Sequence, residues 1–362
     1  MPRVLKVSAI SPEPAVIAEA AQVLARGGLV AFPTETVYGL GARGLHEADV
    51  LRIFAAKERP HGHPLILHVE GEEMARTLAR EWPEPASLLA RAFWPGPITL
   101  VVERAAHVPD VVSGGLPSVG VRAPRHPVAL ALVRALGEPL AAPSANAHMH
   151  VSPTTAAHVV RSLGDRVDLV LDAGACTHGI ESTVIDVTCT PPCVLRAGAA
   201  SLEAIQAILH DTVYRTVVMT GDEQRASPGL AAKHYAPRTR VVLVASGASF
   251  VHAVTTALAS PVRARIGVIA WTGEARALVD THAPTQAPAP APALITAAML
   301  PGDAEAYAHD IFAALHEADA AKLDVLFVER VPETPPWWAV ADRLRRASST
   351  EPEPGQDGDH DD

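Results

Sequence analysis

A short apolar run, Leu29-Val30-Ala31-Phe32, ends in Pro33-Thr34-Glu35-Thr36-Val37-Tyr38-Gly39-Leu40-Gly41, and no other junction in the chain constrains the fold as much. Four apolar residues between Gly27-Gly28 and Pro33 read as a buried strand. A strand that stops in proline, hydroxyls and glycine presents backbone N–H groups and short polar side chains at a sheet edge, where a polar ligand can be held. The competing reading is a turn in which Thr34 and Thr36 cap the backbone that follows.

The same run contains a G-x-G-x-x-G match, Gly39-Leu40-Gly41-Ala42-Arg43-Gly44, set between a strand and a helix. A dinucleotide site also needs an acidic residue ending a second strand roughly 20 residues on. The segment found there, Ala55-Ala56-Lys57-Glu58-Arg59-Pro60, is the basic end of a helix, so the glycine pattern is coincidental.

With 362 residues, 48% of them hydrophobic, the chain has length for two domains and ample core. No segment reaches the ~18 uninterrupted apolar residues of a membrane span, and the N-terminus lacks a charged-then-apolar signal, so a cytoplasmic protein is expected. A net charge of -10 argues against strong nucleic-acid binding. Cys176, Cys189 and Cys193 make no C-x-x-C pair and, even with His178, lack structural-zinc spacing, so reduced thiols and no metal site are expected.

Helical spacing over Pro14–Arg26 and strands at 29–32, 65–69, 98–102, 118–122, 140–142, 168–171, 183–187 and 193–195 predict an irregular mixture of helices and strands. Ser152-Pro153 reads as N-cap and first-turn proline of a helix over Thr154–Leu163. The fold class expected is α/β: a mixed, twisted sheet over residues 1–212, a linker over 213–238, a smaller Rossmann-like parallel α/β domain over 239–347, and an acidic disordered tail over 348–362. In the second domain the strands are expected at 241–245, 266–270 and 325–329, with the Pro-Ala run Pro284–Pro292 as a loop and an amphipathic helix over Trp338–Arg346.

Lys57, Arg59, Arg122 and Arg196 all stand at element ends beside proline or glycine turns, a placement suited to phosphate or carboxylate. Each alone is more often a solvated surface charge. Neither a G-x-x-x-x-G-K-[ST] loop, a G-x-S-x-G elbow nor an H-E-x-x-H motif occurs, so covalent catalysis has no support. Cations and hydroxyls without a nucleophile point to transfer between bound substrates by positioning and charge stabilisation.

In chain order the segments Pro33-Thr-Glu-Thr-Val-Tyr-Gly-Leu40, Lys57-x-Arg59-Pro60, Pro64-Leu-Ile-Leu-His68, Phe93-Trp-Pro-Gly-Pro97, Ala142-Pro-Ser-Ala-Asn146, Ser152-Pro-Thr154 and Gly179-x-Glu-Ser-Thr183 follow one another. With them the chain resembles the YrdC-type L-threonylcarbamoyladenylate synthases. His234-Tyr235-Ala236-Pro237 and Asp342-Arg343-Leu344 are similar to the long, two-domain form, so the resemblance covers nearly everything before the tail.

The resemblance implies a nucleotidyltransferase that makes threonylcarbamoyl-AMP and pyrophosphate from L-threonine, bicarbonate or CO2, and ATP, for modification of tRNA adenosine next to the anticodon. Carried over by position, Lys57 and Arg59 would act at the phosphates, and Thr36, His68, Arg122, Ala142 and Ser182 would surround threonine. Arg59, His63, Ser118, Ser144, Asn146, Ser152, Arg196, His234 and Tyr235 would line ATP, the last two from a linker that acts as a lid. No tightly bound cofactor is implied, Mg2+ would come with ATP, and a threonylcarbamoyl transferase complex is the implied partner. His63 replaces the family's usual Asn, and His148-Met149 its Ser-Gly. Competing readings are a double-stranded RNA-binding module and the carbamoyl-transferase role of hydrogenase-maturation relatives, which share only the first domain.

Overall fold

In the computed structural model, residues 2–214, 235–262, 264–282 and 293–348 are described. The first sheet has eleven strands: Arg3–Lys6 (β1), Val30–Phe32 (β2), Gly39–Arg43 (β3), Ile66–His68 (β4), Ile98–Glu103 (β5), Ser118–Arg122 (β6), Leu140–Ala141 (β7), Leu169–Asp172 (β8), Thr183–Asp186 (β9), Cys193–Arg196 (β10) and Val213–Tyr214 (β11). Their order is β1-β8-β2-β3-β7-β4-β6-β5-β9-β10-β11, with parallel and antiparallel pairs mixed, as expected from the irregular sequence pattern. A second, four-stranded sheet joins Val241–Val244 (β12), Arg265–Ala270 (β13), Ala293–Met299 (β14) and Val325–Glu329 (β15) in the order β12-β15-β13-β14. All its pairings are parallel.

The G-x-G-x-x-G segment is itself most of β3, antiparallel to β2. The segment between strand and helix is therefore a strand itself, and its glycines serve packing. A Cβ on Gly41 would come 2.7 Å from the Phe32 ring, closer than such atoms approach. A further correction concerns Ser152-Pro153. The helix runs Ala156–Leu163 and is capped by Thr155, whose hydroxyl accepts from the His158 N–H. Ser152 is unavailable as a cap because its hydroxyl goes to Glu181. Strand β14 was hidden by the apolar but small Ala-rich sequence around it, and the adjoining run 284–292, expected as a loop, lies outside the described residues.

The near end of the first sheet is covered on both faces. Val30, Phe32, Leu140 and Leu169 meet the helices Pro14–Ala25 and Pro127–Leu136 on one side, and Leu29, Ala31, Leu40 and Ala42 enter the main core on the other. Further along, only one face is packed in that way. Leu67, Val119, Val121, Leu100 and Ile185 point into the main core, so the strand period of two sends His68, Ser118, Gly120, Arg122 and Thr99 to the opposite face. That face holds the site.

The second sheet reaches the first through the helix Ala304–Ala320, whose Tyr307, Ile311 and Phe312 share an apolar cluster with Val37, Val151, Ile180 and Tyr235. The two approach tightly at Gly179, where the backbone has φ 72° and an added Cβ would lie 2.2 Å from the His309 carbonyl oxygen. A Gly179→Ala variant should be less stable by roughly 1–3 kcal/mol, from the left-handed backbone and overpacking together. Urea unfolding midpoints check this; an unchanged midpoint means that the two backbones separate without cost.

Candidate active site

Thr36, His68, Arg122, Ala142 and Ser182, the five positions expected around threonine, line one pocket on the open face. Arg59, Ser144, Arg196 and Tyr235 from the nucleotide set line the same pocket. The structure thus brings together residues from distant parts of the chain that share no sequence neighbourhood.

The loop after β2 shows how sequence builds the part of the pocket around Thr36. Thr34 closes the turn: its hydroxyl donates to the Val37 carbonyl at 2.6 Å and accepts from the N–H groups of Thr36 and Val37, each at 3.2 Å. With that proton committed, Thr36 is the donor in the 2.8 Å contact between the two hydroxyls. The Thr36 oxygen in turn accepts from Arg122 Nη1 at 2.9 Å. Capping and pocket roles are therefore divided between the two threonines.

Arg122 ends β6, and all three of its nitrogens are used: Nε donates to the Gly96 carbonyl, Nη1 to Thr36 and Nη2 to Glu35 Oε1 at 2.7 Å. Glu35 Oε2 accepts from the Arg125 backbone N–H at 3.0 Å. Both side chains of the ion pair are buried, 5% and 4% exposed. Burial alone would raise the Glu35 pKa, yet the Arg122 charge and these hydrogen bonds overcome it and hold the carboxyl below its ordinary value. Beside them His68 pairs with Arg122 across β4 and β6. Burial, helped by the Arg122 charge, pushes His68 down to about 3, so its ring is neutral, and its buried Nδ1 has no hydrogen-bond partner.

Arg196 reaches the pocket through a β-bulge. Val194 pairs with Ile185 but Arg196 pairs with Val184, so Leu195 and Arg196 together oppose one residue of β9. The extra residue turns Arg196 away from the core face of Val194. Its Nε and Nη2 then donate to the Ser182 carbonyl at 3.2 and 2.9 Å, and Nη2 to the Ser182 hydroxyl at 3.2 Å. The Ser182 hydroxyl also meets Thr99 at 2.8 Å.

Lys57 and Arg59 occupy the turn that ends the helix Glu47–Lys57, where Glu58 takes the left-handed conformation with φ 54°. Arg59 lies on the pocket wall and donates to the Pro64 carbonyl at 3.1 Å. Lys57 stands behind the wall: its Nζ donates to the carbonyls of Ser144 and Asn146, both at 2.5 Å. Burial and the neighbouring Arg59 charge push its pKa well below the ordinary lysine value. All four cations named from the sequence are buried, which overturns the solvated-surface reading of each.

Asn146, Ser152, Ser118 and His63 are not among the residues that line the pocket. Asn146 donates to the carbonyls of Ala147 and His150, and its buried Oδ1 has no hydrogen-bond partner. Ser152 is fully enclosed and donates to Glu181 Oε1 at 2.5 Å. Ser118 shares the face of Arg122 but lies four residues back along β6, roughly 13 Å away at the usual strand rise. The His63 ring meets that of His148 edge-on, centres 5.1 Å apart. Tyr235 combines two positions: it lines the pocket, and its ring stacks on Phe312 of the second unit. His234 and residues 215–233 of the expected linker lie outside the described residues.

This arrangement has counterparts among known proteins. A family model described as "Telomere recombination" matches residues 22–198, and one described as "Threonylcarbamoyl-AMP synthase, C-terminal domain" matches residues 200–349. A curated threonylcarbamoyl-AMP synthase of Pyrococcus abyssi is 39% identical over 341 residues, covering 91% of this chain and 93% of its own. One from Bacillus subtilis is 34% identical, covering 92% of each. The chain belongs to the threonylcarbamoyl-AMP synthase family. It is therefore an enzyme, in the long form with both family segments. The crystal structure of P. abyssi Sua5 complexed with L-threonine superposes with a TM-score of 0.83 at 36% identity, covering 95% of this chain and 97% of that one. Because the match continues through residues 200–349, the synthase differs from relatives that share only the first unit.

Sequence reasoning passed over two carboxylates of this synthase. Glu35 and Glu181 both sat inside the motifs, yet neither was given a role. The available signal was a lone acid inside an otherwise apolar, hydroxyl-rich motif, since a buried carboxylate survives only when paired. As for membranes, no helix among the described residues is long and apolar enough to cross one.

The synthase should lose stability in mild acid. Burial lowers His68 to about 3 and His316 to about 4, the latter despite the Ser152 carbonyl at its Nε2. The unfolded chain takes up those protons near pH 6.5 and the folded chain does not. Their contribution is complete above about pH 6.5 and is lost as pH falls towards the folded values, by about 1 kcal/mol per histidine for each pH unit. Urea unfolding between pH 7.5 and 5 measures it. A flat stability profile across that range would show that both rings protonate in the folded state.

Proposed function

We propose that the synthase joins L-threonine, bicarbonate or CO2, and ATP into threonylcarbamoyl-AMP and pyrophosphate, and that the product supplies the threonylcarbamoyl group for tRNA adenosine next to the anticodon through a transferase complex. The amine of threonine adds to CO2 with loss of a proton. A carbamate oxygen then attacks the α-phosphorus of ATP, forming a P–O bond as the bond to pyrophosphate breaks. Every group transferred is anionic, so the protein's contribution is to collect cations and donors around it.

One observation carries this reading: Arg59, Arg122 and Arg196 are each buried and each on the wall of a single pocket that also holds the neutral His68. Three guanidiniums brought out of water in one place fit a substrate set with a carboxylate and a triphosphate. Arg122 suits the threonine carboxylate, with Thr36, Ser182, His68 and the small Ala142 shaping the space for its other groups. Arg59, Arg196 and Ser144 suit the nucleotide, with Tyr235 as a wall; Lys57, Asn146, Ser152, Ser118 and His63 stand in supporting positions. Mg2+ would arrive as MgATP with phosphate oxygens as its main ligands, since Glu181 on the pocket wall and Glu35 behind Arg122 already face arginines.

The deciding assay supplies ATP, labelled bicarbonate and one amino acid at a time. Threonine alone should drive pyrophosphate release and a labelled acyl-adenylate. Equal release with threonine, serine and no amino acid would falsify the assignment.

A further inference from the structure

Arg343 is the largest fully enclosed side chain among the described residues, and it belongs to the last helix, Trp338–Ser348. Val340, Leu344 and Ala347 form the apolar stripe of that helix, and Arg343 stands within it. A guanidinium at such a place needs anions and acceptors to compensate its lost hydration. It finds them in the first unit. Nε donates to Glu181 Oε2 at 3.0 Å and Nη1 to the Ala197 carbonyl at 2.7 Å, while the guanidinium lies over the Tyr235 ring at 5.1 Å. On its own helix, Asp342 accepts from Nη1 at 3.1 Å.

Glu181 and Tyr235, the groups held in this way, line the substrate pocket. The other oxygen of Glu181 accepts from Ser152, and Ala197 directly follows Arg196. Glu181 therefore places a carboxylate in the wall of a pocket that takes a triphosphate, where an uncompensated negative charge repels the substrate. We infer that Arg343 is a positioning residue for the nucleotide half of the site, cancelling the charge of Glu181 and fixing Ser152, Tyr235 and the end of β10. The C-terminal unit thereby completes the active site of the first. This rests on the ATP-dependent reaction proposed above.

The test compares Arg343→Gln, Glu181→Gln and the double variant in steady-state kinetics with ATP and threonine varied separately. Arg343→Gln should raise the KM for ATP by about tenfold or more, the size of a lost charge interaction at a partly desolvated site, with the threonine KM within about twofold. In the double variant no charge is left uncompensated, and glutamine can still donate to the Ala197 carbonyl. Its KM for ATP should return to within about threefold of the parent, since the two residues act as one coupled pair. A folded Arg343→Gln enzyme with the parent's KM for ATP overturns the inference, as does a double variant impaired as badly as the single one. Should Arg343→Gln fail to fold, the double variant decides alone: near-parental ATP affinity supports the inference and its loss overturns it. If the parent itself makes no threonine-dependent pyrophosphate, the reaction is wrong, an outcome separate from an active parent indifferent to Arg343.

Discussion

Replacing Arg122 with glutamine is expected to destabilise the fold by about 3–5 kcal/mol, because Glu35 is then left as an uncompensated buried carboxylate. Threonine affinity should fall roughly ten- to hundred-fold in the same variant, through loss of a charge-assisted contact to its carboxylate. The two effects are separable. A Glu35→Gln/Arg122→Met double variant removes both charges together and should recover most of the lost stability, while threonine affinity stays low. Urea unfolding and the KM for threonine, each measured on both variants, check this. Full threonine affinity in either would leave Arg122 as a structural partner of Glu35 only.

A second large effect is expected at Lys57. Its Nζ supplies donors to two buried carbonyls, those of Ser144 and Asn146, so Lys57→Met removes both while nearly conserving volume. At roughly 1–3 kcal/mol for each stranded buried acceptor, the segment 143–146 should shift or the fold weaken. Ser144, on the pocket wall, moves with that segment, and pyrophosphate formation should fall about a hundredfold or more as the wall is displaced. Arg59 lies on the pocket wall and donates to the Pro64 carbonyl, so Arg59→Ala should lose about ten- to hundred-fold in rate through loss of a charge facing the pocket. Stopped-time pyrophosphate assays alongside thermal melts distinguish the two; a folded, fully active Lys57→Met would remove the residue from any part in the reaction.

Much of the site could be read from the chain because binding loops keep local signatures. The junction at Phe32-Pro33 announced a strand end with donors, and the hydroxyls of Thr36 and Ser182 stand on the pocket wall with the arginines of Arg59, Arg122 and Arg196. These residue types sit at turns for reasons that act over a few bonds, namely proline and glycine geometry and short polar side chains, so sequence carries them. The parallel second sheet was legible on the same basis, through helices alternating with short apolar runs.

What escaped depended on distance. Whether Ser152 caps a helix or serves Glu181 is decided by a partner 29 residues away, and the bulge that turns Arg196 exists only once β10 lies against β9. Nothing local separates a buried lysine from a surface one: Lys57 is internal because the 143–146 segment packs over it and offers two carbonyls. Arg343 is the extreme case, an arginine on an apolar stripe whose carboxylate partner lies 162 positions earlier. By itself the sequence determined the element types, the turn chemistry and the family to which the chain belongs. Which charges are buried, and which of them face the pocket, was decided only by the tertiary structure, since desolvation and ion pairing depend on neighbours brought together by folding.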